Sequence, residues 1–219
     1  MHPNGSRMPF VIDVGPLVMP ALYVLTAVLV VAVLWAGDGV FPYYLTVRPL
    51  YTVVVLGVPL LAWALQNYQL LVLLHIGGAF IFVGGHTVST LVAFQLPGEA
   101  DGARAQALLE LSSRSLDWLH IGLAVLILSG IAAGFVGHWW DRPWIWLALD
   151  LLLAISAYMY AGNRSKAYSG ARNRLAEGGA VAWDTEVQRM VDRRQAILFF
   201  VTGMAALAAI TVLMIFKPG

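Results

Sequence analysis

The chain has 219 residues, 60% of them hydrophobic and 11% charged, with a formal net charge of +1. Soluble domains carry roughly 25% charged residues, so this is the composition of a polytopic membrane protein, and the near-neutral balance leaves no basic footprint for nucleic acid. The absence of cysteine excludes disulfides, thiolate metal sites, iron–sulfur clusters and covalent c-type haem, leaving His, Met, carboxylate or backbone groups as ligands for any metal.

The first apolar run spans about Leu17 to Trp35. No small-residue cleavage site stands out after it, so it reads as a retained helix rather than a signal peptide. It ends at an AGDG turn, residues 36–39. Val40 to Pro49 is aromatic, with two prolines, and fits the headgroup level, where Tyr and Trp are favoured. Leu50 to Leu65 is short for a span and contains Pro59, which predicts either a tilted, kinked helix or a re-entrant piece. Gln66, Asn67 and Gln69 then make a tight polar connection into the third run.

That third run, Leu70 to Phe94, has no Asp, Glu, Lys or Arg and yet holds two histidines. It is long enough to cross a bilayer, and histidines at such depth are costly unless used or satisfied. His75 and His86 are eleven residues apart, about three turns, and so share nearly one face. Gly78, Ala79, Phe82, Gly85, Ser89 and Ala93 lie on that face. Small residues let a backbone or a flat ligand come close, so two readings stand open. The glycines are packing notches and the histidines bond to neighbouring helices or sit near the interfaces, or an imidazole ligates haem iron or copper.

Gln95 to Arg114 is polar. Pro97 and Gly98 stop the third helix, and Ala103 to Leu111 has the pattern of a short amphipathic surface helix. The fourth span runs about Ser115 to Val136, with Gly130 and Gly134 as a small-xxx-small pair. Trp139, Trp140, Trp144 and Trp146 form an aromatic belt. The fifth span, about Trp144 to Ala161, carries a lone carboxylate, Asp150. The polar loop 162–194 follows, holding Arg164, Lys166, Arg172, Arg174, Arg189, Arg193 and Arg194. Its EGGA at 177–180 breaks the chain, and Asp184 reads as the cap of a helix continuing into the sixth span, about Ala196 to Phe216. The positive-inside rule puts loops 96–114 and 162–194 in the cytoplasm.

Depth counting across the hairpin of spans three and four sets His86 about 12 Å and His120 about 10 Å from the cytoplasmic ends. Two imidazoles at one level on antiparallel helices are what a bis-histidine b-type haem needs. In that reading His86 and His120 are the axial and metal ligands. Gly85 and Ser89 leave room for the ring, and Asp117 orients His120 from the preceding turn. His75 is the substitute ligand. Asp117 and His120 are also three residues apart and can simply satisfy each other. Met159, Met190, Met204 and Met214 do not cluster as copper(I) channels require.

The stretches LLHIGGAFIFVGGHTVSTLVAFQL, RAQALLELSSRSLDWLHIGLAVLILSGIAAGFVGHWW and RPWIWLALDLLLAISAYMY, within Tyr68 to Leu175, resemble a family of small bacterial integral-membrane proteins of uncharacterised function. The resemblance implies a four-helix membrane module. A histidine followed by glycines, at His75, is more distantly similar to the copper-resistance D-like and membrane protoporphyrinogen oxidase families. The latter resemblance implies haem binding.

The fold expected is an all-α membrane bundle of six transmembrane helices, or five plus a re-entrant segment. Residues 1–67 would be an N-terminal extension of one or two spans and 68–219 a four-helix module. The expected setting is the bacterial inner membrane, with lipid and other membrane subunits or further copies of the chain as partners. For function, a haem b electron-transfer or membrane-anchor subunit stands beside a cofactor-free structural or accessory subunit. A metal transporter or an enzyme of tetrapyrrole metabolism ranks behind both.

Overall fold

The computed structural model describes residues 21, 22, 24–26, 28, 29, 49–161, 163–191 and 193–217. Most of the first span and the Val40 to Arg48 piece lie outside them. The described residues are all helical apart from turns, with no strand. Three of the helices are long and apolar enough to cross a membrane. Residues around Thr26 are helical. The elements after them are α1 (Pro49–Ala64), α2 (Tyr68–Gln95), α3 (Gly102–Val136), α4 (Pro143–Ala161), α5 (Asn163–Gly178), α6 (Thr185–Met190) and α7 (Arg193–Phe216).

The segment with Pro59 is one α-helix, α1. At about 24 Å it is shorter than the roughly 30 Å hydrocarbon core. It turns into α2 through Gln66, in a left-handed conformation (φ 51°). Asn67 then caps α2, its side-chain oxygen accepting from the Leu70 N–H at 3.0 Å. Ala62 packs with Leu71, Ala132 and Ala133, so α1 is held against α2 and α3.

The fourth span differs from expectation. Ala103 to Leu111 is not a separate surface helix but the first turns of α3, which runs unbroken for 35 residues. Asp101 caps it, accepting from the Ala103 N–H at 2.8 Å. At about 52 Å α3 outreaches any bilayer core, and its first turns carry a small cap. There Leu96, Ala105 and Leu109 share an apolar core with Ala171 and Leu175 of α5, Trp183, and Val187 of α6. The Trp183 indole donates to the Glu99 carbonyl at 2.9 Å. Gly102 is glycine because a Cβ there would collide with the Ala180 carbonyl.

The segment read as a polar loop is therefore folded. Gly179 (φ 64°) makes the break inside EGGA. Asp184 does cap a helix, accepting from the Glu186 and Val187 N–H groups at 2.9 Å. That helix ends at Met190, however, and Val191 is extended before α7 begins. Arg174 binds Glu186 at 3.0 Å, and this hydrogen bond holds the guanidinium even more firmly protonated than usual.

Candidate functional site

The site is the interface of α2 and α3. Gly85 lies opposite Ser115 and Leu119, and Gly78 opposite Gly122 and Leu126, so the helices are antiparallel. A Cβ on Gly85 would stand 2.8 Å from both the Leu119 nitrogen and the Ser115 carbonyl oxygen. One on Gly78 would stand 2.6 Å from the Leu126 nitrogen, and one on Gly122 would collide with the Phe82 backbone. The obstacles are backbone atoms, which cannot swing aside. Ser89 and Ser112 hydroxyls meet at 3.1 Å beyond Gly85. The room that the sequence suggests for a ring beside Gly85 and Ser89 is thus filled by α3 itself.

Not every glycine does this. Gly77 and Gly84 have open space where a Cβ would go. The Gly130 and Gly134 pair does not bring helices together. A Cβ on Gly130 would stand 2.9 Å from the His75 ring, and one on Gly134 3.1 Å from the Trp140 ring. These two glycines are seats for aromatic side chains.

The histidines part company. His75 Nδ1 is 2.8 Å from the Leu126 carbonyl oxygen, so that nitrogen carries the proton and donates to α3, with the ring in the Gly130 seat. His86 stacks on Phe82, with ring centroids 6.1 Å apart. Its Nε2 is 3.5 Å from the point where a Cβ of Gly203 on α7 would stand, and the Met159 methyl is 3.1 Å from the same point. His120 bonds to the Leu116 backbone of its own helix and has Asp117 as an electrostatic neighbour.

The hairpin register sets His120 level with Phe82 and His86 level with Leu116. Their Cα positions are therefore about one turn, roughly 6 Å, apart in depth. His120 is also two residues from Gly122, about 160° around the helix, so it leaves α3 on the side away from α2. The structure brings His75 to Gly130 and His86 to Gly203. Among the described residues, no group of three or more His, Asp or Glu side chains is placed to hold a metal.

Two features escaped sequence reasoning. Asp150 of α4, 5% exposed, meets the Thr26 hydroxyl of the first helix. The tryptophans of the belt form a packed cluster with Tyr68 on Trp139 at 5.5 Å. The Lys217 ammonium lies 4.9 Å from the Trp139 ring and 5.6 Å from Trp144. Long-range pairing of this kind leaves no mark on local spacing.

No family model matches the chain, and no curated protein or solved structure matches it.

Proposed function

We propose that the chain is a structural subunit of the bacterial inner membrane, a six-span bundle whose α2–α3 hairpin is a rigid packing unit and not a cofactor slot. The observation that carries this is the filled interface. Gly78, Gly85 and Gly122 are each blocked by partner backbone, and His75 is satisfied by the Leu126 carbonyl. Without a hydrophobic force between helices in lipid, close backbone approach and interhelical hydrogen bonds are what hold them together. The exposed apolar side chains of α7, such as Val201, Val212 and Ile215, face lipid or another membrane subunit. The cap lies on the cytoplasmic side, as its arginines suggest.

One observation favours a second reading. His86 and Met159 approach the same notch at Gly203 from different helices, and an imidazole with a thioether is a known axial pair for haem iron. One experiment separates the two readings: the absorption spectrum of the full chain purified in detergent, before and after dithionite. The structural reading expects no haem bands. A reduced α-band of b type would overturn it. Loss of that band in both His86→Ala and Met159→Ala, but not in His120→Ala, would establish the second.

A further inference from the structure

We propose that the groove between α4 and α7 is a binding site for an anionic phospholipid, with an acyl chain in the groove and the phosphate at the basic ends of the two helices on the cap side. The proposal rests on the membrane setting of these helices and not on the α2–α3 interface.

α4 has 19 residues, about 28 Å, which matches the roughly 30 Å hydrocarbon core. Its ends therefore lie where hydrocarbon meets headgroups. Tyr158 stands three residues before Ala161, the last of the helix, about 4–5 Å below that level. Its ring packs on Phe199, with centroids 5.0 Å apart. Its hydroxyl has no hydrogen-bond partner among the described residues. A side chain with an apolar body and a polar tip suits this depth, which is the level of the ester groups of a phospholipid.

From Tyr158 the groove runs toward the bilayer centre, past Ala154 and Leu151 on α4 and past Thr202, Ala205 and Ala209 on α7. Thr202 spends its hydroxyl on the Leu198 carbonyl of its own helix, at 2.7 Å, so it asks nothing polar of an occupant. Tyr158 and Leu151 are two turns apart, about 10 Å. Over that length a volume of about 610 Å³ means a mean cross-section of about 60 Å². A helix with its side chains is about 10–12 Å across, or about 80 Å² and more, and does not fit. A chain of methylenes does. Left empty, the walls would forfeit dispersion contacts on their open side.

Charge selects the headgroup. α7 opens with Arg193 and Arg194, both exposed. Arg164 and Lys166 follow α4 directly in the sequence, and Asp192 is the one acid among these neighbours. Basic groups between membrane helices at the headgroup level favour anionic lipid. From the cap side inward the chain thus offers positive charge, a free hydroxyl donor and an apolar channel. A phospholipid carries phosphate, ester and hydrocarbon in that same order.

The test is native mass spectrometry of the full chain in detergent, after addition of phosphatidylglycerol or of phosphatidylethanolamine with the same acyl chains. One phosphatidylglycerol per chain should stay bound under conditions that strip phosphatidylethanolamine. Ala205→Leu with Ala209→Leu fills the groove and should remove it. Arg193→Gln with Arg194→Gln should weaken binding about tenfold or more, since each basic residue near an anionic surface contributes about fivefold. Gly84→Ala, outside the groove, should leave binding unchanged. Equal retention of the two lipids, retention unaffected by the leucines, or a dimer that the leucines dissociate would overturn the proposal. Should the leucine variant fail to fold, phosphatidylglycerol spin-labelled on its acyl chain decides in the wild-type chain. An immobilised population of one per chain, absent with the labelled phosphatidylethanolamine, supports the site, and a spectrum of bulk lipid alone sinks it.

Discussion

Two helix pairs in this molecule use small residues to opposite effect. Between α2 and α3, Gly78, Gly85 and Gly122 bring the backbones into contact and no space is left. Between α4 and α7, Ala154, Ala205, Ala206 and Ala209 line an open apolar groove of about 610 Å³ with Leu151, Ile155, Tyr158 and Thr202. There the helices meet through side chains, with Tyr158 and Phe199 rings 5.0 Å apart. The difference is one carbon atom at the crossing. Glycine lets a partner's backbone reach its own, whereas the alanine methyl holds it off. A run of small residues in a membrane helix thus says that something comes close, but not whether it is the protein's own chain, a lipid or a ligand.

The strongest way to break this comparison is to fill the first interface. Gly85→Leu or Gly122→Leu should abolish folded protein, scored as the monodisperse fraction after detergent extraction, since backbone must move to admit the side chain. Gly85→Ala should cost about 1–3 kcal/mol by overpacking. Gly84→Ala should be neutral or stabilise by up to about 1 kcal/mol through helix propensity. Thermal unfolding of the two alanine variants side by side checks the contrast; equal effects would mean that the register is wrong.

A milder perturbation sharpens the role of His75. Gly130→Ala pushes on the His75 ring and should destabilise by about 1–2 kcal/mol. In a His75→Ala background the same change should be nearly free. Residues in contact show coupling of about 0.5–3 kcal/mol in such cycles, and additive effects would remove His75 from the Gly130 seat. Ala205→Leu, which adds bulk to the α4–α7 groove, should stay within about 0.5 kcal/mol of wild type. Lys217→Ala should cost about 0.5–1 kcal/mol for an exposed cation over an aromatic ring, read as a lower melting temperature.

Much of this architecture could be read from the chain. The apolar run from Leu70 to Phe94 falls inside α2, and the boundaries of α4 and α7 lie within a few residues of those expected. The start of α3 was hidden because Arg104, Glu110 and Arg114 make its first turns look like surface. Their polarity reflects exposure outside the apolar stretch, not a break in the helix. The cap was hidden for a related reason: Leu96, Leu109, Leu175, Trp183 and Val187 are too scattered to form a periodic face, and only the fold gathers them. At the candidate site, glycine spacing showed that α2 has a crowded face. It did not show that Gly78 and Gly85 are filled while Gly77 and Gly84 are open. That depends on where α3 crosses, as does the level of His120 relative to His86.

Because the chain contains no cysteine, a single introduced pair gives a clean reading of that crossing. Ser89 and Ser112 hydroxyls stand 3.1 Å apart, so Ser89→Cys with Ser112→Cys, oxidised in the membrane, should cross-link within one chain nearly to completion, while either single variant should not. That result would fix α2 against α3 with no gap for a flat cofactor. A pair that stays reduced, or links only between chains, would contradict the filled interface on which the functional reading stands.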